Sequence, residues 1–130
     1  MKRILSPILI ALTFTVMFSS TSFADWTRVG ENVTGDSFYV DFERIRKHEG
    51  YVYYWDLSNL LKPDKDGDLS YKKYSQGDCK LFRVKGLTEV YYKQEMGRGN
   101  GKTNTSKNPQ WKYPIPNSVL ETILKAVCSR

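Results

Sequence analysis

Histidine occurs once in the 130 residues, as His48, and cysteine twice, as Cys79 and Cys128. Two thiols and one imidazole cannot complete a four-ligand zinc site without carboxylates. His48 lies in the polar run RKHEG, where a surface histidine is a plainer reading than a catalytic one. No G-x-S-x-G turn is present to raise a nucleophile, and no Walker or dinucleotide glycine motif. The glycines at 97, 99 and 101 lack the strand-to-helix setting of a phosphate loop. Carboxylates are plentiful, but no spacing singles out a pair. Basic residues alternate with acids, as in FERIRKHEG and KLFRVKGL, rather than forming the dense basic face of a nucleic-acid binder. These absences leave no catalytic residue, no metal ligand set and no cofactor to expect.

What is present begins at the N-terminus, MKRILSPILIALTFTVMFSSTSFADW. Lys2 and Arg3 precede a mostly apolar run, and Ser22 and Ala24 supply the small residues that a signal peptidase reads. The alternative is a membrane anchor. The run is short for a span, which needs about 20 apolar residues, and no basic stop-transfer cluster follows. Residues 1–24 are therefore expected to be a cleaved signal peptide, and 25–130 one exported domain, periplasmic or secreted, with no transmembrane segment. No cysteine stands at the junction to accept a lipid. Without Lys2 and Arg3, eighteen basic residues face fourteen acids, a mild +4. In an oxidising compartment the pair Cys79 and Cys128 reads as a disulfide, the alternatives being a metal pair or a reactive thiol. It would close a loop of about 50 residues, worth about 4 kcal/mol in the chain-entropy model.

Aromatic and β-branched runs predict strands. One starts at Trp26–Val29 and a second spans Ser37–Asp41. The strongest is YVYYWDLSNLL, 51–61, stopped by Pro63. Its two-residue period sets Tyr51, Tyr53, Trp55 and Leu57 on one face and Val52, Tyr54, Asp56 and Ser58 on the other. Residues 42–50 read as a polar connection. The segment 70–86 reads as extended and split by a turn at Gln76–Asp78, with a further strand at 87–96. Residues 97–109 carry three glycines, a proline and no apolar side chain, and read as a long hairpin loop. Ser118 and Glu121 have capping-box spacing, and Leu120, Ile123, Leu124 and Val127 recur at helical period, so 118–128 predicts a short helix with Cys128 on its inner face. The fold class is α+β: an antiparallel sheet of about six strands with a C-terminal helix packed on it.

Asp64, Asp66 and Asp68 open the stretch DKDGDLSYKKYS in the manner of a calcium loop. An EF-hand loop needs glycine at its sixth place and glutamate at its twelfth. Leu69 and Ser75 stand there instead, and strands rather than helices flank the stretch. It reads as a polar hairpin turn pivoting on Asp66–Gly67.

Six features lie in order along the chain: Trp26, the Tyr39-Val-Asp41 strand, Gly50 followed by Trp55, Asp78-Cys79, Trp111, and Pro116-Asn-Ser118 leading to Val127-Cys128. In these the chain resembles the surface-adhesin protein E family of Gram-negative bacteria. The resemblance implies an antiparallel sheet packed by a C-terminal helix and tied by a Cys79–Cys128 bridge. It also implies an exported protein, in a family with an outer-membrane lipoprotein that binds host matrix proteins such as vitronectin and laminin. The expected function is a non-catalytic, adhesin-like binding module for an unidentified protein or envelope ligand. Its binding surface is expected either on the strand face around Tyr54 or on the basic loop with Arg98, Lys102 and Lys107, for which a solvated hairpin tip is the plainer reading. The alternatives are a small periplasmic enzyme using surface carboxylates and a structural partner in an envelope complex.

Overall fold

The computed structural model describes residues 25–130; the signal-peptide expectation lies on residues outside that range. Eight strands form one antiparallel sheet: β1 (Thr27–Glu31), β2 (Ser37–Val40), β3 (Arg46–His48), β4 (Tyr51–Asn59), β5 (Ser70–Asp78), β6 (Arg83–Tyr92), β7 (Gly101–Thr105) and β8 (Trp111–Lys112). They occupy six rows in the order β1-β2-β4-β5-β6-β7, because β3 pairs with β4 in the row of β2 and β8 pairs with β6 in the row of β7. One helix, α1 (Val119–Cys128), follows.

The two broken rows share a cause. Val40 pairs with Asp56, and Arg46 with Tyr53. The chain between them is three residues longer than a regular ladder allows. The excess leaves the sheet as a 3-10 turn at Phe42–Arg44. Asp41 anchors its start, where its backbone N–H reaches the carbonyl of Trp55 at 3.2 Å. The polar connection expected at 42–50 thus contains that turn and β3.

Other boundaries move for identifiable reasons. The turn expected at 76–78 falls later, at residues 79–82, because β5 stays paired with β6 through Asp78 and Arg83. Phe82 takes a positive φ of 52° there. Part of the expected loop at 97–109 is strand: Gly101–Thr105 pairs with Thr88–Tyr92. Every residue of β7 is exposed, so it has no apolar alternation to read. Its backbone bonds to β6 hold it. The hairpin at Asp64–Asp68 joins β4 to β5, with Gly67 at a φ of +82°.

α1 lies over β1, β2 and β4. Ile123, Leu124 and Val127 meet Phe38, Val40, Val52, Tyr54 and Val84 in the core. The Ser118 hydroxyl accepts the Glu121 backbone N–H at 3.2 Å. Glu121 reaches back to the N–H of Asn117 at 3.0 Å, one residue earlier than a standard capping box. The Cys79–Cys128 disulfide ties the end of the helix to the β5–β6 turn, with the two Cα atoms 5.6 Å apart. Among the described residues no helix is long and apolar enough to cross a membrane.

Candidate functional site

Alternation along β4 sends Val52 and Tyr54 under the helix and Tyr51, Tyr53 and Trp55 to the open face. Tyr54 is fully buried, so the expectation of a binding surface around it is corrected. The period separates the two faces but does not say which one the helix covers. The helix docks on the face of Val52 and Tyr54, where Gly77 leaves room for Leu124 to approach closely.

The open face carries a band of half-buried rings. Trp111 lies against Tyr51 with centroids 5.6 Å apart. Tyr53 and Trp55 flank Tyr74 at 6.3 and 5.0 Å. Cations line the band. The Arg83 guanidinium sits 4.2 Å from the Trp111 ring centre and the Lys85 ammonium 4.5 Å. Arg83 is held by Asp78, Nε to Oδ2 at 2.9 Å. Burial works to raise the Asp78 pKa, but Arg83 and the N–H groups of Leu81 and Lys80 outweigh it, and the carboxyl ends below its ordinary range.

Beyond Trp55 the band opens into a cleft of about 220 Å³, lined by Trp26, Asp41, Arg44, Trp55, Lys72, Val90 and Tyr92. The Lys72 ammonium lies 5.0 Å from the Tyr92 ring centre and 5.9 Å from that of Trp26. The Asp41 side chain is 1% exposed, and neither carboxylate oxygen takes a hydrogen bond. It does not cap the 3-10 turn that it precedes. Arg44 Nε approaches Oδ2 at 3.4 Å from a half-exposed position. Trp26, Asp41 and Trp55, far apart in sequence, meet here.

The expected loop cations do not converge. Arg98 faces Glu95 at 3.6 Å. Lys102 lines a cleft with Asp66, Asp68, Tyr91 and Lys93, whereas Lys107 lines another with Lys73, Glu89 and Lys112. The aspartates of the β4–β5 hairpin bring one carboxylate oxygen each within 4.8 Å of one another. Asp64 Oδ1 accepts the N–H groups of Asp66 and Asp68, both at 2.9 Å, and Lys93 pairs with Asp68 at 3.1 Å. The turn and a lysine thus already engage two of the three.

Asp56 is buried on the helix side, where burial pushes its carboxyl up to about 7; Lys73 pulls it down less, and Glu89 adds to the rise. It lines none of the three clefts described above. His48 and the adjacent Glu49, which takes a positive φ of 50°, approach to 3.8 Å. Both are more than two-thirds exposed, so water screens the pair.

Legibility of these residues was uneven. The rings of β4 are readable from alternation. Lys72 and the inward turn of Asp41 depend on the ladder, and no local signal marks them.

Comparison with curated proteins finds no match. Solved structures of Haemophilus influenzae protein E share the fold. Crystal form II superposes with a TM-score of 0.63 at 18% identity, over 80% of this chain and 87% of that one. The selenomethionine form gives 0.62 at 17%, over 80% and 85%. Protein E from a non-typeable strain gives 0.57 at 16%, over 80% and 75%. The family model for surface-adhesin protein E matches residues 26–129, almost the whole described domain. The chain belongs to the surface-adhesin protein E family.

Proposed function

We propose that the protein is an exported, non-catalytic, adhesin-like module that binds a protein or envelope ligand through the open aromatic face of its sheet. One observation carries this reading: the band Trp111, Tyr51, Tyr53, Tyr74 and Trp55, with Arg83 and Lys85 beside it, lies on the face opposite the helix. Tyr, Trp and Arg are the side chains that most often dominate protein interfaces, since they combine large apolar area with a polar handle. Membership of the surface-adhesin protein E family supports an adhesin-like role. Arg98 and Lys102 on the β6–β7 hairpin and Lys107 in the β7–β8 connection form a second, electrostatic contact in this reading, acting on approach rather than as one pocket.

Surface plasmon resonance of the purified protein over immobilised vitronectin and laminin tests the proposal. Paired Tyr53→Ser and Tyr74→Ser changes are expected to weaken binding at least tenfold. Changing Arg98, Lys102 and Lys107 together to Ala is expected mainly to slow association and flatten the salt dependence. Unchanged binding by the tyrosine variant removes the open face from consideration. N-terminal sequencing of exported protein, expected to begin at Asp25, tests the export step.

A further inference from the structure

The cleft at the end of the aromatic band has a lining that selects a chemical class. Trp26, Trp55 and Tyr92 supply aromatic surface, Arg44 and Lys72 supply donors, and Asp41 supplies a buried acceptor pair. A buried carboxylate without a hydrogen bond is costly, and a donor from a ligand relieves that cost. A cationic ligand suits Asp41 and the rings, but Lys72 already occupies the ring faces and Arg44 stands beside the carboxylate. An anion suits the two cations but meets Asp41. A neutral ligand with one apolar face and several hydroxyls satisfies every part of the lining. Its C–H face packs on Trp55, the lining ring that Lys72 leaves uncovered, its hydroxyls donate to Asp41, and its oxygens accept from Lys72 and Arg44. A pyranose ring has that structure. The cleft volume, about 220 Å³, is enough for one such ring.

We propose that the cleft formed by Trp26, Asp41, Arg44, Trp55, Lys72 and Tyr92 is a glycan subsite that holds a single neutral pyranose ring. The inference rests on the reading of the protein as a binding module and assigns that module a ligand class. Arg44 is the movable part. It is half exposed and lies against the Asp41 carboxylate, so its swing admits the sugar hydroxyls. Rotamer changes of exposed side chains take picoseconds to nanoseconds and set no barrier to binding.

The chain has three tryptophans, Trp26, Trp55 and Trp111, and their indole N–H signals in a ¹H–¹⁵N spectrum report the cleft separately from the far end of the band. The full protein is titrated with the methyl glycosides of glucose, galactose, mannose and N-acetylglucosamine. Choline, argininamide and inorganic phosphate are the charged comparators. At least one glycoside is expected to shift Trp26 and Trp55 saturably, with a Kd of about 1–10 mM, and to leave Trp111 in place. Asp41→Asn, which keeps the shape, and Trp26→Ala, near the first described residue, are each expected to weaken this at least tenfold, the Asp41→Asn variant with a thermal melt no lower than the parent's. Competition by host N-glycans or by envelope oligosaccharides then tells the two sources apart. The proposal is overturned if no glycoside moves Trp26 and Trp55, if a charged comparator moves them in preference, or if Asp41→Asn binds as well as the parent. Retained binding to vitronectin or laminin with no glycoside response removes this site alone and leaves the module reading intact.

Discussion

Asp56 carries a local conflict between charge and burial. Its carboxyl is buried beneath the helix side of the sheet and is raised to about 7 from an ordinary 3.8, chiefly by loss of solvent. Between those values the folded chain holds a proton that the unfolded chain has lost. Stability therefore falls as pH rises from about 4 to about 7 through this group, and is level beyond it. Asp56→Asn should flatten that slope and leave the variant more stable than the parent at pH 8, on the order of 1–4 kcal/mol. Urea unfolding at pH 4 and pH 8 measures both quantities. A second residue-scale case is Gly77. A methyl placed there would stand 2.9 Å from Val52 Cγ2 and 3.0 Å from Leu124 Cδ1. Gly77→Ala should cost about 1–3 kcal/mol by overpacking beneath the helix. Gly86→Ala, whose nearest neighbour is Lys73 Cδ at 4.0 Å, should be near neutral. Thermal melts of the two variants give the contrast.

At the scale of elements, the short helix depends on its start. Isolated helices of this length are marginal in water, so packing and capping decide whether it forms. Ser118→Ala removes the bond to the Glu121 N–H and should cost about 1 kcal/mol. Hydrogen exchange should quicken in the first turn of α1 and leave β4 and β5 protected. Legibility also varied by element. The helix was readable because its period, cap and terminal cysteine agree. β4 was readable because aromatic and β-branched residues run without a break. β7 was not, because Gly-Lys-Thr-Asn-Thr has no buried face and is strand only through its pairing with β6. β3 was hidden for the same reason, since all three of its residues are exposed. The site followed this pattern: the β4 rings were legible by face, whereas the cleft needed Trp26, the 3-10 turn and three neighbouring strands at once.

For the whole molecule, the sheet and helix bury a small set of side chains, and the disulfide closes a sequence separation of 49 residues across them. Reducing it, or changing Cys79 and Cys128 together to Ser, should cost about 2–5 kcal/mol, the usual range for a native disulfide in a small domain. The melting temperature should fall accordingly, and α1, the tethered element, should lose hydrogen-exchange protection before the central strands do. An unchanged melt after complete reduction would show that packing alone holds the helix in place. The sequence by itself determined the class of fold, the helix, the strongest strand and the cysteine pair, because periodicity, capping and composition are local and survive without neighbours. Only the tertiary structure decided which face of β4 the helix covers, that an all-polar segment is an edge strand, and that Trp26, Asp41 and Trp55 share a cleft. Those outcomes depend on register between distant segments and on which of two apolar faces packs more closely, and neither quantity is written in any one stretch of chain.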